Sequence, residues 1–383
     1  MKIATYNIQN LFFRDKNLVK ENRLKKQDEW NEELEILFLK KEKNTNEFER
    51  MRALSTLLGF NKAPFEPYVS LKNLEGNLMI ETYPTHLKNK AAEVTKWNGW
   101  IELATIPINK NSIFNKARVI LDTAPDILFL QEVESRSSLL QFNDIYLKEK
   151  MKDGYAEIFF MDGNENNGTG MGVLLKERYL IMAIRSFSNE RDVDNKPLFE
   201  KNVIQFKIMS PIGVEVYFIC CQLATASDET KLETKRKRQT TKIASIYKEL
   251  RSKGNKNIIV LGNFNAPSYS DSLIPLIQDT DLKDIVKQDS FEADLDHGDQ
   301  STYFRMGAYR KGINIKQKDY LLVSPSLFYS TKNCGLNRMA VWPSKLPQWP
   351  LYDSVKNELD SASEHPLLWA DIRLEDPVKL KIA

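Results

Sequence analysis

The sequence predicts an α/β fold, in which buried strands alternate with helices. Residues 258–261 are four branched apolar residues that end at Gly262-Asn263, which is typical of a strand buried on both faces. A helix predicted over 113–123 leads through Ala124-Pro125 into a second apolar run at 126–133. Because the residue before proline avoids helical geometry, the helix should end there. A helix that feeds a strand through a short turn indicates an α/β sheet.

The other elements follow from apolar patterning. Strands are also predicted over 2–8, 155–160, 171–176, 203–209, 214–221, 301–304, 319–323 and 367–372, and a long helix over 231–253. Short helices are expected over 270–278 and 281–286, and an aromatic loop over 333–360. The tryptophans of that loop would either anchor the loop itself or stack on a nucleobase.

Residues 14–110 differ in character from the rest of the chain. Apolar residues recur there at helical spacing in two groups, at Trp30, Leu34, Leu37 and Phe38, and at Phe48, Met51, Leu54 and Leu58. This pattern predicts two amphipathic helices. We interpret 14–110 as a mainly helical insertion in a single domain of residues 1–383, favouring a helical cap over a role in shaping the substrate site.

Composition narrows the class of protein. The chain has 383 residues, of which 42% are hydrophobic and 28% charged, which is typical of globular proteins. A formal net charge of +3 does not by itself indicate nucleic-acid binding. Cys220, Cys221 and Cys334 form neither a zinc spacing nor an even disulfide framework. With no leader-like segment and no long apolar run, we expect a cytoplasmic protein without a membrane anchor.

Polar residues terminate the apolar strands in six separate segments. They are Asn7, Glu132, Gln222, Asn263, Asn265, Asp319, Glu364 and His365. Carboxylate and amide oxygens, few per segment, are what a hard divalent cation bound to a phosphate needs. Phosphoester hydrolysis also needs a group that orients or deprotonates water, and donors for the developing oxyanion charge.

Two further features each leave two interpretations open. The basic run in the helix at 231–253, which includes Arg238, is either a solvated helix face, the favoured reading, or a contact for a phosphate backbone. The acidic residues around His297 are either a solvated loop, again favoured, or a second metal site.

The ordered motifs resemble those of the endonuclease/exonuclease/phosphatase superfamily over residues 1–10 and 113–375. The matching pieces are Tyr6-Asn7, Gln131-Glu132-Val133, Gly262-Asn263-Phe264-Asn265, Asp319-Tyr320 and Ser363-Glu364-His365-Pro366. The resemblance implies a four-layer α/β sandwich of two packed mixed β-sheets flanked by helices. It also implies a phosphoesterase that depends on Mg2+ or Mn2+, foremost a nuclease that binds DNA or another nucleic acid.

The resemblance also implies roles for individual residues. Glu132 would hold the metal with Asn7 nearby, and Asn265 would contact the phosphate. Asp319 would support the metal and phosphate region. Glu364, grouped with the metal ligands, would also orient the ring of His365, which would donate to a phosphate oxygen. Arg238, which lies on the basic helix, is also predicted to bind the substrate.

Three positions depart from the family pattern. Asn263 stands where the family has the Asp that activates water, Gln222 where it commonly has His, and Glu364 where it has Asp. An amide cannot accept a proton. The chain is therefore a slow enzyme or an enzyme with another base, such as Glu364 or Asp319. Otherwise it is an inactive form, natural or engineered, that binds nucleic acid or phosphorylated ligands. A lipid or inositol phosphatase ranks lower because no amphipathic surface helix is evident.

Overall fold

The fold comprises two compact units, Met1–Leu11 with Asn109–Ala383, and Phe12–Ile108. A computed structural model describes residues 1–15, 29–30, 33–34, 36–38, 40, 42–57, 70–73, 99–102, 105–148, 150–151, 154–164, 169–225, 229–292, 317–343 and 349–375. No helix in these ranges is long and apolar enough to span a membrane. The expected strand at 301–304 and the cluster around His297 lie outside them.

The regular elements alternate along the chain as predicted. In chain order the strands are β1 (Lys2–Asn7), β2 (Phe13–Asp15), β3 (Ser70–Asn73), β4 (Gly99–Glu102), β5 (Thr105–Pro107), β6 (Ile127–Val133), β7 (Glu157–Asp162), β8 (Gly170–Leu175), β9 (Leu180–Ser186), β10 (Val203–Met209), β11 (Glu215–Gln222), β12 (Ile258–Asn263), β13 (Lys283–Asp284), β14 (Phe291–Glu292), β15 (Asp319–Val323), β16 (Thr331–Asn337) and β17 (Leu367–Ile372). The α-helices are α1 (Thr45–Leu57), α2 (Lys110–Thr123), α3 (Arg136–Phe142), α4 (Glu229–Ser252), α5 (Ile274–Ile277) and α6 (Pro325–Tyr329).

The first unit contains two mixed β-sheets. One has the strand order β14-β16-β17-β1-β6-β8-β7, and the other β13-β15-β12-β11-β10-β9. Strand β1 is parallel to β6 and antiparallel to β17, and β12 is parallel to β11 and antiparallel to β15. The predicted sandwich of two mixed sheets is therefore confirmed.

The two sheets pack face to face through one apolar core. Phe129 of β6 contacts rings of the other sheet, with centroids 4.9 Å from Phe218 and 5.8 Å from Phe206. Ile3 and Leu261, from the central strands β1 and β12, lie in the same buried cluster. Burial of this apolar surface is the main force that holds the sheets together.

Helices cover the outer faces of the sheets. Helix α4 packs Ile243 and Tyr247 against Val260 and Phe264, at the back of β12. Helix α2 begins at the cap residue Asn109, whose side chain accepts from the backbone of Asn111. It ends at Ala124, whose φ of 46° reverses the chain before Pro125, as predicted.

Several element predictions need correction. Residues 281–286 do not form one short helix: they contain the strand β13, which is followed by a 3-10 helix at Ile285–Lys287. Strand β16 occupies the start of the predicted loop and pairs with β17, and β9 was not predicted. Pairing with neighbours overrides the weak strand propensity of Thr331–Asn337.

The second unit has a small apolar cluster of its own. Helix α1 contributes Met51 and Leu54, which bury against Leu34, with Trp30 and Phe38 at the margin. Residues 29–30, 33–34 and 36–38 are helical, so both predicted helical stripes face this cluster. Antiparallel pairs β2–β5 and β3–β4 complete the described part of the unit. That 14–110 is an insertion into a single domain stays a prediction.

Candidate active site

The ends of the parallel strands β1 and β6 bring Asn7 and Glu132 together. Asn7 Nδ2 donates to Glu132 Oε1 at 2.9 Å. Glu132 has a φ of 58°, and the pairing of β6 with β8 shifts register between Leu130 and Val133. A left-handed residue at a bulge redirects a side chain and carries backbone strain, which tertiary contacts must compensate. The irregularity turns the half-buried carboxylate towards Asn7.

Gln222 joins this cluster from the other sheet. Its Nε2 donates to the same Glu132 Oε1 at 2.6 Å. Gln222 pairs with Asn263 in the parallel register of β11 and β12, so these two strands end side by side. Gly262 permits this close pairing: its φ is 132°, and a Cβ there would lie 1.9 Å from the backbone oxygen of Cys221.

A second hydrogen-bonded set contains Asn263, Asp319 and His365. Asn263 Nδ2 donates to Asp319 Oδ1 at 2.9 Å, and His365 Nδ1 lies 2.8 Å from Asp319 Oδ2. The partner of His365 is therefore Asp319, not Glu364 as predicted. The side chain of Glu364 is exposed, and adjacency in sequence did not bring its carboxylate to the ring. Its assignment as a metal ligand stays a prediction.

The two sets belong to one site because the loop that carries His365 is fastened to the end of β1. Ser363 Oγ donates to the backbone oxygen of Asn7 at 2.7 Å. The amide of Glu364 donates to Gln9 Oε1 at 2.8 Å. Sequence reasoning missed Gln9, and it quoted Ser363 only as part of a motif.

The electrostatics of the site raise the pKa of His365. Burial lowers the pKa of its imidazole, but the charge of Asp319 and the hydrogen bond to it raise the pKa, with a further contribution from Glu132. The net result is a pKa above the ordinary histidine value. A raised pKa enlarges the fraction of imidazole that carries a second proton, and the protonated ring is a cationic donor.

Asn263 leaves one polar atom unsatisfied. Its Oδ1 is buried and accepts no hydrogen bond from any residue that the structure describes. A buried acceptor without a partner is unfavourable by about 1–3 kcal/mol. A donor that enters the site, such as a water or a hydroxyl group, would satisfy this oxygen.

The donor set of the site is a carboxylate with neighbouring amide side chains, whose oxygens suit a hard cation. Among the described residues no group of three or more His, Cys, Asp or Glu side chains is placed to hold a metal ion. Mg2+ commonly takes one or two protein carboxylates and keeps waters and phosphate oxygens. Glu132 meets that need, because within the described chain only its Oε1 is hydrogen-bonded.

Two predicted substrate contacts have different surroundings. Asn265, with a φ of 54°, is half-buried and donates through Nδ2 to the oxygen of Leu223 at 2.9 Å, which fastens the loop after β11. Arg238 is exposed on α4, while Arg236 is buried and donates to the oxygen of Ala224 at 2.9 Å. The buried arginine therefore supports the loop after Gln222, and Arg238 lies two positions along the helix, on another face.

The aromatic loop anchors itself. Trp349 is buried and donates through Nε1 to the oxygen of Val341 at 3.1 Å. Its ring lies under the guanidinium of Arg338, 4.4 Å from the centroid. Base stacking by Trp349 is thereby excluded without rearrangement of the loop.

A search of solved structures finds chains that are similar to this one at low sequence identity. An endonuclease/exonuclease/phosphatase from Bacteroides vulgatus has 18% identity and a TM-score of 0.45, over 68% of this chain and 91% of that chain. A mannosyl-6-phosphatase from Bacteroides thetaiotaomicron has 15% identity and a TM-score of 0.45, over 68% and 90%. Truncated TDP2 from Caenorhabditis elegans has 14% identity and a TM-score of 0.44, over 68% and 91%. No family model and no curated protein matches the sequence.

Proposed function

We propose that this chain is a metal-dependent phosphoesterase that hydrolyses phosphodiester bonds, with nucleic acids as the first substrates to test. The observation that carries the proposal is one site in which Glu132, two amides that hold it, and an Asp319–His365 pair converge. A carboxylate open to a cation beside a cationic donor is what phosphoester hydrolysis requires.

Glu132 would hold Mg2+ or Mn2+, with Asn7 beside it. Such a cation, when bound, neutralises phosphate charge and polarises the phosphorus–oxygen bonds. Asn7 and Gln222 orient the Glu132 carboxylate through its Oε1 and leave the other oxygen available. This arrangement resembles the outer hydrogen bonds that position ligands in metal sites.

His365 would donate a proton or a hydrogen bond to a phosphate oxygen. Nδ1 of the ring lies 2.8 Å from Asp319 Oδ2, and a proton on Nδ1 would be donated to this carboxylate, which leaves Nε2 for the substrate and stabilises the imidazolium form. Asn265 has a second amide hydrogen beyond the one given to Leu223, and that hydrogen supports its predicted contact with the phosphate.

Asn263 would orient the attacking water without deprotonating it. Its buried Oδ1 lacks a donor within the described chain, and a water could donate to it. An amide oxygen does not take up a proton at neutral pH, so the general-base contribution, typically about 10²–10⁴-fold, would be missing. We therefore expect slow turnover.

A substrate panel tests the proposal. Single-stranded and duplex DNA, RNA and bis(p-nitrophenyl) phosphate are incubated with Mg2+ or Mn2+, with and without chelator. The unaltered chain should turn over at least one of them, and chelator or Glu132→Gln should abolish that turnover. Glu364→Gln, purified in parallel, tests the predicted metal role of that exposed carboxylate. The proposal that this chain is an enzyme would be overturned if neither the unaltered chain nor Asn263→Asp turned over any of these substrates.

The second candidate is a protein that binds its ligand at this site without catalysing a reaction. The specific observation in its favour is that amides occupy positions 222 and 263, so no side chain there takes up a proton. It predicts binding of single-stranded DNA that survives Glu132→Ala and addition of chelator. Metal-dependent hydrolysis by the unaltered chain rules it out.

A further inference from the structure

One face of helix α2 holds the chain segment that precedes His365. Asn115 Nδ2 donates to the backbone oxygen of Asp360 at 2.8 Å, and Ser112 Oγ donates to that of Ser361 at 2.5 Å. Lys116 continues the series by donating to the backbone oxygen of Ala362. Three side chains on one helix face thus bind three consecutive backbone oxygens of the segment, those of residues 360–362.

Lys116 differs from the other members because it binds a second loop as well. Its ammonium also donates to the backbone oxygen of Ile8, the residue directly after Asn7. The whole side chain is buried, with 0% relative exposure. A buried ammonium group is strongly unfavourable unless polar partners surround it, so these carbonyl groups are held close to it.

The two carbonyl groups belong to the two loops of the site. Ile8 lies at the end of β1, beside the residue that binds Glu132. Ala362 lies three residues before His365, at the start of the loop that carries the imidazole. Two further hydrogen bonds join the same two loops. Ser363 Oγ donates to the backbone oxygen of Asn7, and the Glu364 amide donates to Gln9 Oε1.

We propose that Lys116 is a positioning residue that fixes the loop bearing His365 against the end of β1. It thereby sets the spacing between the half of the site around Glu132, the metal half, and the half around Asp319 and His365, the imidazole half. Its effect on turnover rests on the proposed function; its effect on the loops does not. Lys116 would not contact the substrate, because its ammonium group is directed at backbone oxygens from both loops.

Hydrogen exchange measured by NMR tests the positioning. In Lys116→Met the amides of Glu364 and His365, which donate to Gln9 Oε1 and Ser363 Oγ, should exchange about tenfold faster, as expected for loss of one buried hydrogen bond. Amides of Ile259–Leu261 in β12 should keep their protection. Lys116→Gln, which retains a side-chain amide as hydrogen-bond donor, should give an intermediate change in exchange rate. It replaces Lys116→Met in this experiment if Lys116→Met does not fold.

Lys176→Met is the control. Lys176 Nζ also donates to a backbone oxygen, that of Ala124 at 3.0 Å, and it pairs with Asp126 Oδ1 at 3.2 Å, but beside the opposite end of β6. This variant should leave the exchange of Glu364 and His365 unchanged. Unchanged exchange at these amides in Lys116→Met, or a uniform increase that includes β12, would overturn the positioning role.

Turnover provides the second readout. If the unaltered chain hydrolyses a phosphodiester, Lys116→Met should lower kcat with little change in KM, because the loss concerns alignment of His365 and not substrate contacts. Faster loop exchange with unchanged kcat would overturn the link to catalysis. An unaltered chain without turnover refutes the proposed function alone, since the exchange experiment still decides the role of Lys116.

Discussion

The two buried halves of the site use similar residues but leave different atoms available. In the Glu132 half, Asn7 and Gln222 both donate to Oε1, and no described residue donates to the other oxygen. In the Asp319 half, Asn263 occupies Oδ1 and His365 occupies Oδ2. Glu132 is also half-buried, whereas Asp319 is 5% exposed.

The difference shows how hydrogen-bond partners assign a carboxylate its role. A carboxylate that accepts only from amides at one oxygen keeps open lone pairs on the other oxygen for a cation. A carboxylate with both oxygens engaged, one by an imidazole, acts by orienting that ring and stabilising its protonated form. Under the proposed function Glu132 therefore binds the metal and Asp319 orients His365, while the expected support of the metal region by Asp319 stays a prediction.

Asp319→Asn should give the largest change in activity. Loss of the carboxylate removes the charge that stabilises the imidazolium, so kcat should fall by about 10²–10⁴-fold. The affinity for Mn2+, measured by electron paramagnetic resonance, should stay unchanged because Glu132 is intact. A parallel loss of Mn2+ affinity would place Asp319 in the metal half and remove the distinction between the two carboxylates.

Asn263→Asp should produce a smaller change of opposite sign. The new carboxyl group would lie next to Asp319 Oδ1, now 2.9 Å from Asn263 Nδ2. Two carboxylates at that distance do not both ionise readily, so one pKa rises. We expect a gain of about 10²-fold in kcat from the restored base, with a lower melting temperature.

Asn265→Asp provides the matched control for that gain. It makes the same chemical change at a residue whose amide binds the oxygen of Leu223 and not a carboxylate. It should not raise kcat. Equal gains in the two variants would show that added negative charge, and not a base at position 263, causes the effect.

Gln222→Met should affect the metal half alone. The variant removes the 2.6 Å hydrogen bond that orients Glu132 and keeps a side chain of similar length. Loss of such an outer hydrogen bond typically lowers metal affinity by about 10–100-fold. At saturating Mn2+ the value of kcat should recover. Tighter Mn2+ binding would show that the amide competes with the cation for Glu132.

The sequence predicted the members of the site better than their partners. Asn7, Glu132, Gln222, Asn263 and Asp319 each terminate an apolar strand, and such strand ends meet at one edge of an α/β sandwich. Their location was therefore accessible from strand patterns alone. The pairing of Asp319 with His365 was not, because the loop of His365 comes from a distant part of the chain and is held by tertiary contacts with residues 7 and 9.

Lys116 shows a signal that sequence reasoning overlooked. It lies three residues after Ile113 and four before Ile120, on the face of α2 that both residues bury. A lysine on an apolar helix face is expected to have polar partners inside the fold. Which partners they are depends on tertiary contacts with residues 8 and 362, and no local pattern encodes those contacts.

A third buried carboxyl group, Asp284, extends the comparison and should give the smallest effect. It is 6% exposed and accepts from Gln317 Nε2 at 2.8 Å and from the amide of Val286 at 3.2 Å. Burial raises its pKa to about 6, although these hydrogen bonds and the charge of Lys287 act in the opposite direction. Unlike Asp319, it has no imidazole partner among the residues that the structure describes.

The sign of the resulting pH dependence follows from linkage. An unfolded Asp titrates near pH 3.9, so between about pH 4 and 6 the folded chain retains a proton that the unfolded chain releases. Stability from Asp284 is therefore lost as the pH rises through that window. Asp284→Asn should be more stable than the unaltered chain at pH 7 by roughly 1–2 kcal/mol, and the difference should shrink towards pH 4. Urea unfolding across this range measures it, with the exposed Asp279→Asn as control. A difference that is independent of pH would show that Asp284 is ionised throughout, and that two neutral donors suffice to hold a buried carboxylate.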